Sequence, residues 1–113
     1  MTFCLFCKVV SGEAAATIVD RTETTVAFHD MYPVAPTHVL VIPTVHVETL
    51  NEALAVDPQI VADLFAQCAR IAEMQGVADA YRVVVNNGSA ASQAVHHLHA
   101  HVLGGRDFTW PPG

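Results

Sequence analysis

The strongest constraint in the chain is the alternation within "VHHLHAHVLGG", residues 95–105. His97, His99 and His101 occupy every second position, interleaved with Leu98, Ala100 and Val102. A helix turns about 100° per residue and would scatter the three imidazoles around its surface. An extended chain sends successive side chains to opposite faces, which collects the histidines in a row about 13 Å long above an apolar row. Residues 95–103 are therefore expected to lie centrally in an antiparallel sheet, apolar face to the core and histidine face open.

The rest of the chain supplies more strands and a helix to cover them. Residues 17–20 and 24–29 read as a hairpin around "RTE". The loop "MYPVAPTH" follows, and then "HVLVIP", 38–43, is extended until Pro43 ends it or sits on an exposed edge. Asp57 before Pro58 places a cap ahead of a residue with preset φ. Val61, Leu64, Phe65, Cys68 and Ile71 then recur at helical spacing and predict one buried face until Gly76 stops the helix. A shorter helix is expected over 47–54, a strand over 81–86, and a turn-rich loop over "NNGSAASQ". The predicted fold is α+β: a twisted antiparallel sheet of roughly five strands with the helix from 58 to about 75 across one side.

With 113 residues, the chain is expected to form one domain, 1–113, for which burial against a partner adds materially to stability. A composition 52% hydrophobic and 14% charged opposes disorder and suits an oligomer. A formal charge of −6 with five Lys and Arg leaves too few cations to track a phosphate backbone, so a long nucleic acid is not an expected partner. A small phosphorylated ligand is compatible, because backbone N–H groups in the small-residue loop "NNGSAAS", with the histidines, could hold it locally. "MTFCLFCKVVSGE" has neither a basic leader nor a long apolar run, and no membrane span is expected. The cytoplasm is the expected location.

Imidazole titrates near neutrality, so one ring can attack a phosphoryl group while a neighbour handles protons. His99, flanked on both sides, is the natural nucleophile, with His97 and His101 orienting it or binding the anion. Two other readings stand beside this one. The row could be solvent-facing polarity, or two or three of its imidazoles could hold zinc. His96 points the other way and reads as a partly buried ring satisfied by a backbone carbonyl or at an oligomer contact. Cys4 and Cys7 have the spacing of a metal knuckle or redox pair, or pack as small apolar side chains, and Cys68 reads as core.

"HHLHAHVLGG" resembles the pattern of the histidine triad (HIT) nucleotide hydrolase and transferase family. "FCLFCKVVSGE", "AFHDMYPVAPTHVLVIPTVH", "YRVVVNNGS" and "WPPG" extend the similarity along nearly the whole chain, most strongly toward the purine nucleoside phosphoramidase branch. The resemblance implies a homodimer with joined sheets that hydrolyses nucleoside 5′-phosphoramidates or related AMP- or GMP-type conjugates. The alternatives it leaves are dinucleoside polyphosphate cleavage, nucleotidyl transfer, or a purine nucleotide-binding domain with weak catalysis. It implies His99 as the residue that becomes nucleotidylated, His97 and His101 as its neighbours, and His38 as a fourth histidine of the relay. Asp30 matches the acid on the ribose hydroxyls, though by itself it reads equally as a capping carboxylate. Phe6, Val9, Phe28, Met31 and Leu40 match the purine walls, and Asn86 matches the asparagine beside the phosphate. Trp110, in a tail from 104 to 113, matches a tail that reaches the partner's site.

Three positions depart from the family pattern. Ala94 stands where a serine is usual, Ser92 where a glycine is usual, and His96 where a tyrosine is usual. Ser92 and Ala94 remain in the expected nucleotide site, with slower or differently selective hydrolysis as the consequence. The chemistry needs no cofactor. Some members of the wider family bind structural zinc through such cysteines with two histidines, which here would be Cys4, Cys7, His46 and His97.

Overall fold

The computed structural model describes residues 3–113, so the first two positions of the expected domain lie outside the described residues. Strands β1 (Ile18–Arg21), β2 (Thr25–His29), β3 (Thr37–Pro43), β4 (Tyr81–Val84) and β5 (Ala100–Gly104) form one sheet. All its neighbours are antiparallel, in the order β1-β2-β3-β5-β4. Helices α1 (Leu5–Ser11), α2 (Leu50–Val56) and α3 (Pro58–Met74) complete the α+β fold.

Pleating divides the interior into two layers. Ala27, Val39, Val41, Ala100 and Val102 face one way and pack with Leu64, Cys68 and Ile71 of α3. Val26, Phe28, Leu40 and Ile42 face the other way and pack with Phe6 and Val9 of α1. β3 is buried along its whole length because both of its faces are covered. α3 begins as its sequence dictates, with the Asp57 carboxylate accepting the Gln59 N–H at 3.0 Å, and the chain leaves it through Gly76 at φ 73°.

Several expectations need correction. Phe65 is 40% exposed, because the buried stripe continues through Gln67, whose amide donates to Asp20 at 2.8 Å. α2 starts at Leu50, not 47. Val47 is held out of the helix by its carbonyl, which accepts the Leu98 N–H at 2.7 Å, while Thr49 caps. Pro43, by contrast, ends β3, the first of its two expected places, and is buried there. His96 is exposed.

The histidine face is not open. α1, which the sequence reading did not anticipate, covers it between an N-cap at Cys4 and a left-handed Gly12 at φ 84°. Seven residues make a marginal helix alone, so docking of Phe6 and Val9 must hold it. Arg21 supports its other end by donating to the carbonyls of Val9 and Val10 at 3.3 and 3.1 Å. β5 is also shorter than expected, so only His101 of the three alternating histidines lies in a strand. The separation of faces persists, since Leu98, Ala100 and Val102 all enter the α3 layer.

Candidate active site

Between α1, the sheet and the loop after β4 lies a cavity of about 870 Å³. Phe6, Val9, Phe28 and Leu40 line it with apolar surface, while Asn86, Ser92, His99 and His101 supply polar groups. Asp30, Met31 and Tyr32 add to its lining from the loop after β2. The Phe6 ring meets both Phe28 and His99 edge-on, at centroid distances of 5.5 and 5.1 Å.

Hydrogen bonds assign the histidine protons. The Val34 N–H donates to His38 Nδ1 at 3.1 Å, so the neutral His38 ring carries its proton on Nε2. That Nε2–H donates to His101 Nδ1 at 2.9 Å, which leaves the His101 proton on Nε2. His99 Nδ1–H donates to the His97 carbonyl at 2.8 Å, leaving a lone pair on Nε2. Burial holds His38, His99 and His101 below the ordinary imidazole range, and burial with His99 and His38 nearby takes His101 down to about 4. The site therefore presents neutral rings at neutral pH: one lone pair at His99 beside one donor at His101. Asp30 Oδ1 accepts the Tyr32 N–H at 2.7 Å, and its Oδ2 lies 3.5 Å from His38 Nε2. Although Asp30, His38 and His101 cluster closely, the His38 proton points into the cluster, and this favours a relay over a metal cage.

The His97 ring, fully buried, turns away from the cavity. Its Nε2–H donates to the Pro43 carbonyl at 2.9 Å, which directs the Nδ1 lone pair to Cys4 and Cys7 Sγ at 3.5 and 3.6 Å. His46 Nδ1 lies 3.3 Å from Cys7 Sγ, and all four donor atoms fall within 4.8 Å of one another. A tetrahedral zinc with bonds of about 2.3 Å to sulfur and about 2.05 Å to nitrogen requires sulfur–nitrogen edges of about 3.5 Å. The donor set fits that ion, and the Pro43 carbonyl is the usual kind of outer partner for a ligating imidazole. Burial and the adjacent Cys4 push the Cys7 thiol up to about 11, a crowding that a dication would relieve.

Residues 11–108 match the HIT domain family. The chain belongs to that family. The HIT chain is 40% identical to an uncharacterized HIT-like protein of Synechocystis over 96% of each sequence. It is also 40% identical to a 14 kDa zinc-binding protein of Zea mays, covering 96% of this chain and 87% of that one. Among solved structures, a HIT family hydrolase from Legionella pneumophila superposes with a TM-score of 0.93 at 42% identity, covering 98% of this chain and 100% of that one. A zinc-bound histidine triad family protein from Mycobacterium smegmatis gives 0.79 at 34% identity, covering 92% and 76%.

The HIT fold thus brings Phe6, Val9, Phe28, Asp30, Met31, Leu40, Asn86, Ser92, Ala94, His99 and His101 to one cavity. His38 stands behind His101, and His97 joins His46 and the cysteines. His97 meets the nucleophile candidate through its carbonyl and not its ring, contrary to the expectation of a phosphate-binding imidazole. Trp110 is 83% exposed and does not line this cavity. The tail folds on its own chain as far as Thr109, whose carbonyl accepts from Arg82, and Phe108 lies between Arg82 and Arg106. The tail begins after Gly104, which belongs to β5. Backbone donors in the small-residue loop are fewer than expected, because the N–H groups of Ala91, Ser92 and Gln93 bond inside the loop. Leu5, Ala15, Ala16, Thr17, His29, Tyr32 and Val95 also line the cavity and were missed. For Leu5 a signal existed: a cysteine cap followed seven residues later by "SG" marks a short helix.

Proposed function

We propose that this HIT protein hydrolyses nucleoside 5′-phosphoramidates or related conjugates of AMP or GMP type through a nucleotidyl-His99 intermediate. One observation carries the reading: a neutral His99 with its lone pair on Nε2 beside a neutral His101 with its proton on Nε2, both lining a cavity with apolar walls. The family membership and the hydrolase similarity support it. His99 Nε2 attacks phosphorus while His101 Nε2–H donates to a phosphoryl oxygen; the P–N bond to the leaving amine breaks, and the departing nitrogen takes a proton from water. His38 Nε2–H bonds to His101 Nδ1 throughout and keeps the His101 proton on Nε2. The hydroxide so formed then attacks phosphorus, and the P–Nε2 bond returns its electrons to His99. Phe6, Val9, Phe28, Met31 and Leu40 receive the purine. Asp30 accepts from the ribose hydroxyls, and Asn86 meets the phosphate.

Cys4, Cys7, His46 and His97 would hold zinc, which would supply a structural cross-link between α1 and the segment ahead of β5. A second copy of this chain joins through the sheet and brings Trp110 to the partner's site. The protein acts in the cytoplasm. No helix among the described residues is long and apolar enough to cross a membrane.

The test is intact-mass analysis after millisecond quenching with adenosine 5′-phosphoramidate, run beside His99→Ala. An AMP adduct that maps to His99, with AMP release abolished in the variant, is expected. AMP binding with no release from either this substrate or a diadenosine polyphosphate would refute hydrolysis and leave a binding domain. Faster release from the polyphosphate would refute the phosphoramidate preference.

A further inference from the structure

Ser92 is the one non-glycine residue with a positive φ among the described residues, at φ 67° and ψ 29°. Glycine takes this left-handed conformation without strain, whereas a side chain is strained in it. The residue follows a single 3₁₀ turn, Ser89–Ala91, as its C-cap, a task that glycine would perform better. The surrounding loop enforces the conformation. Asn86 Nδ2 donates to the Ala91 carbonyl at 2.8 Å. The buried Gln93 amide accepts from Gly88 N–H at 2.8 Å and donates to the carbonyls of Glu48 and Val95 at 2.6 and 3.2 Å. Strain over-determined in this way at the wall of a cavity is the pattern of a functional position.

Position and donor supply say what the serine does. Val84 pairs with His101, so Asn86, two residues further on, comes level with His99 across the sheet. Asn86 bonds the carbonyl of Ala91, which places Ser92 next to that polar end, and Ser92, His99 and His101 all line the cavity. The N–H groups of Ala91, Ser92 and Gln93 are already used inside the loop, and the side chain of Ala94 carries no donor. Ser92 is exposed and lines the cavity, and its hydroxyl takes no part in the side-chain bonds that organise the loop. We propose that Ser92 is a substrate-contacting residue whose hydroxyl donates to a phosphoryl oxygen of the nucleotide, a side-chain donor that Ala94 does not supply. This rests on the reading of the cavity as a nucleoside phosphate site.

The experiment compares wild type, Ser92→Ala and Ser92→Gly by AMP calorimetry, turnover of adenosine 5′-phosphoramidate and thermal melting. Ser92→Ala keeps the strained Cβ and removes the hydroxyl. It is expected to weaken AMP binding about tenfold, as one lost donor to a charged acceptor does, and to leave Tm unchanged. Ser92→Gly is expected to weaken AMP equally while raising Tm by about 4 °C, because the strain goes with the side chain. Both variants are expected to lower kcat as well as raise KM, since the bond persists as the phosphoryl group reacts. Wild-type affinity and turnover in both variants, with Tm raised in Ser92→Gly, would assign Ser92 to the turn alone and overturn the proposal while the nucleotide reading stands. No AMP binding by the wild type would overturn both.

Discussion

His38 sets the proton position of His101 through two bonds at opposite corners of one ring, and the two corners can be removed separately. The amide oxygen of an asparagine can stand where Nδ1 does and keep the Val34 N–H satisfied. The amide nitrogen of a glutamine reaches the place of Nε2 and keeps the donor to His101, whose bond is 2.9 Å in the native ring. His38→Asn therefore leaves His101 Nδ1 without its donor, and His38→Gln does not. An unmet buried acceptor costs about 1–3 kcal/mol. At about 1.4 kcal/mol per decade, the Nε2–H tautomer of His101 loses roughly 5- to 150-fold of its advantage. With the proposed chemistry rate-limiting, His38→Asn lowers kcat by about one to two decades and His38→Gln by no more than about threefold. Long-range proton–nitrogen NMR correlations of labelled histidine read the tautomer directly, alongside initial rates on adenosine 5′-phosphoramidate. Equal losses in the two variants, or an unchanged His101 Nε2–H signal in His38→Asn, would refute the relay.

Other outcomes follow from the same geometry. Protein purified without a histidine tag should carry close to one zinc per chain, and Cys7→Ser should lose it together with several degrees of Tm; under a tenth of an equivalent in the wild type would reject the site. His101 titrates at about 4 when folded, against about 6.5 when unfolded, so its contribution to stability is full above pH 6.5 and is lost as pH falls from there toward 4. Urea midpoints should drop over that window and drop less in His101→Gln; equal drops would contradict the assignment. A Cβ on Gly104 would stand 2.7–2.9 Å from Val77 side-chain atoms, so Gly104→Ala should cost about 1–3 kcal/mol by denaturant titration, and a neutral result would show that Val77 yields. Ala94→Ser, which adds a hydroxyl to the cavity lining, should speed phosphoramidate hydrolysis; no change in kcat would mean that position 94 has no part in the proposed chemistry.

Local rules carried much of the reading. Leu98, Ala100 and Val102 alternate with the histidines and all enter the core, because successive side chains near a sheet must part to opposite faces. Asp57 and Pro58 start α3 through short-range bonding and a fixed φ, which no distant residue alters. The catalytic candidates His99 and His101 were legible for the same reason: their spacing is itself the geometry.

Where local rules failed, a distant group had decided the outcome. α1 escaped notice because seven residues hold a helix only when Phe6 and Val9 dock on the far face of the sheet. Phe65 left the expected stripe because Asp20, on β1, gives Gln67 a buried partner. The sequence by itself determined the α+β class, the strand order of its hairpin and the family membership, since pattern and motif reside in neighbouring residues. The sequence left His97 two roles, beside His99 or with the cysteines, and only the tertiary structure decided that its ring joins the cysteines while its own carbonyl holds His99. The direction of an imidazole lone pair depends on which carbonyl or N–H meets the opposite nitrogen, and for His97 and His38 those partners are Pro43 and Val34.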